Sequence, residues 1–170
     1  TQCLSTNLVD ARVNGIQRVF YETSALLPSL EVVIDHFSGS VTEYLGDGVL
    51  GFFPYLNDDD LYNSYYASIG CMEMVRTIVN SEIKSRYNLP PLDIGIGMAC
   101  GPAMVRKVAK KHVKAFGRCV WTASKLSGGT NLILIDDILR GKWPSSQNGA
   151  ISFRTKQLSK NVEGYKLYPQ

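Results

Sequence analysis

Residues 39–53 constrain the chain most: Gly-Ser-Val-Thr-Glu-Tyr-Leu-Gly-Asp-Gly-Val-Leu-Gly-Phe-Phe. Two short apolar runs, 41–45 and 49–53, flank Gly46-Asp47-Gly48. A Gly/Asp turn between such runs specifies a two-stranded hairpin with an acidic tip. An isolated hairpin is marginal in water, so it has to join a larger sheet or pack on helices. The flanking sequence supplies the helices. Upstream, Val9, Val13, Ile16, Phe20, Leu27, Leu30, Val33 and Phe37 recur at helical spacing, and Pro28 predicts a break between two helices. Downstream, Asn57 and the three aspartates after it offer an N-cap and negative charge in a first turn. Leu61, Tyr65, Ile69, Met72, Val75, Val79 and Ile83 then form one apolar stripe that ends near Tyr87.

After Pro90-Pro91, alternation predicts a strand over 92–99, a Gly101-Pro102 turn and a second extended stretch over about 104–116. Residues 120–126 read as a short helix closed by Gly128-Gly129, 132–135 as a strand and 136–139 as a helical turn. Strands over 151–157 and 165–168, with Asn161 and Gly164 in the turn between them, finish the pattern. The class is α+β, an antiparallel or mixed sheet with helices packed on it. A length of 170 residues fits one domain, 1–170, with a core of its own. With 45% hydrophobic and 19% charged residues, disordered and fibrous classes are excluded. No apolar run approaches the roughly 20 residues of a membrane span, and the N-terminus lacks the pattern of a secretory signal.

Cys3, Cys71, Cys100 and Cys119 form no CxxC pair, which argues against a zinc site or a disulfide framework and fits a reducing cytoplasm. The net charge is only +3, yet Arg106, Lys107, Lys110, Lys111, His112, Lys114 and Arg118 fall close together. They are either a solvated strand and turn, whose alternation sends neighbouring lysines to opposite faces, or an anion-docking surface. A nucleic-acid interface is the weaker reading, because the net charge is small and Tyr62, Tyr65 and Tyr66 fit a helix face.

Three blocks, in order, cover nearly the whole chain: the hairpin 39–53, the strand and Gly-Pro turn of 92–102, and Phe-Gly-Arg-Cys-Val-Trp-Thr-Ala-Ser-Lys-Leu at 116–126. In these the sequence resembles the class III adenylate and guanylate cyclases. The resemblance implies a ferredoxin-like-derived fold with a mostly antiparallel sheet. It implies closure of a nucleoside triphosphate to a 3′,5′-cyclic monophosphate plus pyrophosphate, at the interface of a head-to-tail homodimer. It also implies two Mg²⁺ or Mn²⁺ ions, with Asp47 as a metal ligand. A carboxylate is the hard donor such ions require, although Asp-Gly is also simply a favoured hairpin turn.

Other site residues follow residue by residue. The family's asparagine and arginine of the third block are replaced here by Trp121 and Lys125. Lysine keeps the charge that stabilises the reacting phosphate but loses the planar fork, and tryptophan offers one N–H donor with much bulk. Trp121 fits equally as a core or dimer-interface aromatic. The two base-selecting positions fall on Glu43 and Lys114. Adenylate cyclases usually place lysine then aspartate there, guanylate cyclases glutamate then cysteine, so this pair matches neither. Lys160 corresponds to a phosphate-binding lysine. Ser5-Thr6-Asn7-Leu8 is similar to the end of the segment that carries the first metal aspartate. That aspartate is therefore expected at Thr1 or just upstream, with the domain's first strand also ahead of residue 1, and Asp10 is the poorer candidate. The unusual base pocket also resembles that of the bacterial pyrimidine cyclases of anti-phage defence, which make cyclic UMP or cyclic CMP. The alternative is a catalytically silent cyclase-homology domain that binds a nucleotide or a partner.

Overall fold

A computed structural model of the chain describes residues 2–5, 15–108, 113–143, 151–159 and 162–169. The chain runs β1 (Gln2–Ser5), α1 (Gly15–His36), β2 (Ser40–Tyr44), β3 (Val49–Phe52), α2 (Asp58–Met74), a π turn (Val75–Val79), α3 (Asn80–Tyr87) and β4 (Gly95–Met98). It continues as β5 (Met104–Lys107), β6 (Val113–Phe116), α4 (Arg118–Leu126), β7 (Leu132–Ile135), α5 (Asp137–Lys142), β8 (Ile151–Ser159) and β9 (Val162–Pro169). Among the described residues seven strands form one sheet in the order β2-β3-β1-β4-β7-β9-β8, in which only β4 and β7 pair in parallel.

Several expectations change. Gln2–Ser5, not foreseen as a strand, fills the sheet position between β3 and β4. Pro28 does not divide a helical pair, because α1 runs unbroken for 22 residues around it. A proline inside a helix costs about 3 kcal/mol, but Leu26, Leu30, Val33 and Ile34 are buried on both sides of it, and their packing holds the two halves in line. The extended stretch 104–116 is not one strand but a separate antiparallel ribbon, β5 with β6. Gly164 lies within β9 rather than in a turn.

Neighbouring residues of one strand show how the layers are built. Val49 belongs to the large core with α1, α2 and α3, whereas Leu50 packs with Ala99, Ala115, Cys119 and Ala123. Alternation puts these two side chains on opposite faces, so α1 to α3 cover one face and α4 the other. The long helical segment starts with a capping box, Asn57 accepting from the Asp59 N–H and Asp60 from the Asn57 N–H. The π turn keeps Val75 and Val79 buried, so the apolar stripe stays on α1. On the other face α4 lies directly on β4. A side chain at Gly97 would collide with the Ala123 carbonyl oxygen, and one at Gly95 with that of Gly129. Trp143 closes the core end, edge-on to Tyr62, Tyr65 and Phe153.

Candidate functional site

The acidic tip is built by its backbone. Leu45 N–H donates to the Gly48 carbonyl at 2.7 Å and Asp47 N–H to the Leu45 carbonyl at 3.0 Å. The second bond closes a three-residue turn around Gly46, whose φ of 75° lies where glycine alone is unstrained. Asp47, half-buried, follows two residues ahead of β3. Nearby, Tyr44 donates its hydroxyl to the Glu31 carboxylate at 2.6 Å, and that bond, with burial, pushes the phenol up to about 12.

Strand direction decides what can reach this tip. β1 is antiparallel to β3, with Gln2 opposite Gly51 and Cys3 opposite Leu50. The Ser5 end of β1 therefore runs toward Asp47, and the Gln2 end runs away from it toward Met98. Downstream of Ser5 the first carboxylate in the sequence is Asp10, which lies outside the described residues. Among the described residues no group of three His, Cys, Asp or Glu side chains converges as a metal site. The Asp47 carboxylate offers hard oxygen donors, and two ions would need further oxygen ligands beside it.

Glu43 and Lys114, the positions expected to choose the base, come together. Lys114 of β6 lies 3.3 Å from the Glu43 carboxylate of β2, an ion pair joining the ribbon to the sheet edge. Lys114 Nζ also sits 5.9 Å from the Phe116 ring. The pair is the adenylate-type lysine and acid with the signs exchanged. Of the basic cluster, Arg106 and Lys107 are exposed on β5, while 110–112 lie outside the described residues. Lys160, the expected phosphate ligand, also lies outside them.

Trp121 and Lys125 sit one turn apart on α4, with Lys125 Nζ 5.7 Å from the indole centroid. Trp121 is 55% exposed, so it is no core residue, whereas Trp143 is 6% exposed. The indole borders a cleft of about 510 Å³ that it shares with Arg118, Thr122, Asp136, Asp137 and Glu163. Sequence reasoning missed this cleft, although an aspartate between an apolar strand and a helix is a readable N-cap signal. Asp136 accepts from Leu139 N–H at 2.8 Å and from Cys100 N–H at 3.4 Å, tying the ends of β4 and β7 together. Burial raises its carboxyl above the ordinary value, against the pull of those two bonds. Across the Gly101-Pro102 turn a second cleft of about 410 Å³ contains Phe53, Tyr55, Met98 and Lys142 but no expected site residue.

No protein-family model and no curated protein matches this sequence. Solved structures do match its shape. The guanylyl cyclase Cya2 aligns with a TM-score of 0.77 at 18% identity, over 99% of this chain and 88% of that one. The adenylyl cyclase CyaB from P. aeruginosa gives 0.74 at 16%, over 99% and 92%. The guanylate cyclase domain of RhGC from Catenaria anguillulae, solved in complex with GTP, gives 0.68 at 16%, over 98% and 92%. The fold is that of a nucleotide cyclase catalytic domain. In this cyclase fold Asp47 occupies the hairpin tip, Glu43 and Lys114 form one pair, and Trp121 and Lys125 form another on the helix that covers β4. No helix among the described residues is long and apolar enough to cross a membrane.

Proposed function

We propose that the chain is a nucleotidyl cyclase, converting a nucleoside triphosphate to its 3′,5′-cyclic monophosphate and pyrophosphate as a head-to-tail homodimer in the cytoplasm. The observation that carries this reading is the Asp47 turn, set where β1 ends, in a chain whose whole length follows cyclase catalytic domains. In the dimer, Asp47 of one protomer faces Trp121 and Lys125 of the other. Asp47 would hold Mg²⁺ or Mn²⁺, and such an ion neutralises triphosphate charge when bound. Lys125, steered by the indole beneath it, meets charge that develops on the reacting phosphate, and Lys160 binds the phosphate chain. Glu43 and Lys114 frame the base. A pyrimidine substrate, UTP or CTP, fits a pocket narrowed by Trp121, and the product would then serve bacterial antiviral signalling.

The second reading, a silent domain that binds a nucleotide or a partner, is favoured by one observation. Among the described residues no group of three His, Cys, Asp or Glu side chains gathers at Asp47 as a metal site. One experiment separates the two. The protein, with its natural upstream residues, is incubated with Mn²⁺ and each of ATP, GTP, CTP and UTP, and products are resolved by chromatography and mass. A cyclic product lost in Asp47→Ala establishes the cyclase. Its further loss in Asp10→Ala assigns the second carboxylate. No product from any triphosphate leaves the silent domain.

A further inference from the structure

We infer that the cleft across the Gly101-Pro102 turn from Trp121 binds a small amphipathic monocarboxylate, its apolar body against Phe53, Met98 and Leu139 and its carboxylate on the Lys142 ammonium. The inference is separate from the cyclase reading, because the cleft contains none of the residues assigned to the triphosphate.

Separate stretches of the chain wall this space of about 410 Å³: the end of β3 with the loop after it, the first turns of α2, the end of β4 with the Gly-Pro turn, and α5. It lies at the end of the sheet away from Asp47, since β3 leaves the tip at Val49 and reaches the cleft at Phe52. Its volume falls within the range of small-molecule sites. Phe53, Leu61, Met98 and Leu139 line it and also belong to the large core, so the apolar wall is fixed by packing before any ligand arrives. An apolar body laid against that wall leaves water, which is the favourable term.

The polar end is set by Lys142. Its Nζ lies 4.4 Å from the Tyr55 ring centroid, so the ammonium is held on the cleft wall by a cation–π contact. Among the described residues no carboxylate pairs with it, which leaves its three N–H donors for a ligand. Residues 144–150, outside the described ones, carry no charged side chain. The charge acts on the cleft: burial raises the Cys100 thiol, and Lys142 opposes that rise. Asp60 also borders the cleft, but its Oδ2 is held as a helix cap, accepting from Leu56 N–H at 2.7 Å and Asn57 N–H at 3.1 Å. An unpaired ammonium beside an apolar wall matches one carboxylate on an apolar body.

The test uses octanoate and the whole chain, with octylamine as the control for charge and acetate as the control for the apolar body. Equilibrium dialysis should show saturable octanoate binding, with octylamine and acetate bound roughly tenfold or more weakly. Lys142 is exposed, so its replacement leaves the core intact. Lys142→Met should weaken octanoate roughly tenfold or more, and Lys142→Arg should stay within a few-fold of the original. Ile138→Trp, at a residue 55% exposed on the cleft wall, should block binding without altering any charge. A second readout places the ligand. Cys100 borders the cleft half-buried, whereas Cys71 is buried in the core. Octanoate should slow alkylation of Cys100 by N-ethylmaleimide, read by peptide mass mapping, and leave Cys71 unchanged. Lys142 itself acts on the Cys100 thiol, so the variants are compared by dialysis alone. No saturable octanoate binding, equal binding of octylamine, unchanged affinity in Lys142→Met, or Cys100 alkylation indifferent to octanoate would each overturn the proposal.

Discussion

Replacing Gly97 by alanine tests how α4, and everything it carries, is held. The added Cβ would overlap the Ala123 carbonyl oxygen and approach Ser127 N to 2.5 Å. Both are backbone atoms, so no side chain can rotate away, and the helix as a whole has to lift from β4. The helix cannot slide freely, since the Leu126 side chain already lies where a Cβ on Gly164 would fall. Overpacking of this kind costs about 1–3 kcal/mol. Lifting α4 also exposes part of Leu126, now 1% exposed, whose full burial is worth about 1.5–3 kcal/mol. A loss of about 2–3 kcal/mol follows, equal to roughly 5–10 °C in Tm for a chain of this size.

Gly141 provides the control for the same chemical change. It lies in α5, and an added Cβ meets nothing within 4 Å. Gly141→Ala should stabilise by up to about 1 kcal/mol, the ordinary helix-propensity gain. Urea unfolding of both variants, followed by circular dichroism at constant m-value, measures the pair. The reasoning is refuted if Gly97→Ala stays within about 0.5 kcal/mol of the original protein, or if both variants lose stability alike.

A double-mutant cycle on Glu43 and Lys114 should give a coupling of about 0.2–1 kcal/mol, as expected of a partly exposed pair. The swap Glu43→Lys, Lys114→Glu should recover most of it, and a coupling above about 2 kcal/mol would mean that the ribbon shields the pair from water. For Asp136, burial raises the folded-state pKa above the unfolded one, so the folded state holds its proton longer. Stability attributable to this group is therefore greatest below the ordinary carboxylate pKa and declines as pH rises through the folded value. Asp136→Asn, which keeps an acceptor for Leu139 N–H, should flatten that decline, whereas Asp136→Ala should cost about 1 kcal/mol through the lost cap. An unaltered stability-versus-pH curve in the asparagine variant would remove burial as the cause. In spectrophotometric titration, Glu31→Gln should bring Tyr44 down from about 12 toward 10, and no movement would show that the 2.6 Å bond does not hold the phenol.

The hairpin, the capped helical stripe from Leu61 to Ile83 and the closing strands were legible because each is fixed by local chemistry: a Gly/Asp turn, an Asn57 cap, a period of 3.6 or 2. What failed depended on distant partners. Pro28 reads locally as a break, and only the packing of Leu26 and Leu30 to either side shows why α1 continues. The ribbon β5–β6 has no turn signal strong enough to divide 104–116, and its ion pair to Glu43 spans two elements. Asp47, Glu43, Lys114, Trp121 and Lys125 came from likeness to a family. The Trp121 cleft joins α4 to the ends of β4, β7 and β9, and no single segment of sequence carries that juxtaposition.

The departures from the family pattern form one consistent set when charge is followed through the site. At positions 43 and 114 the acid and the lysine close on each other across a 3.3 Å ion pair that joins the ribbon to β2. At 121 the side chain is an exposed indole, and at 125 a lysine whose ammonium lies 5.7 Å from the indole centroid. Trp121 and Lys125 both ride on α4, whose close seat on β4 depends on the absence of a side chain at Gly97, so a substitution that lifts the helix displaces the indole and the ammonium together.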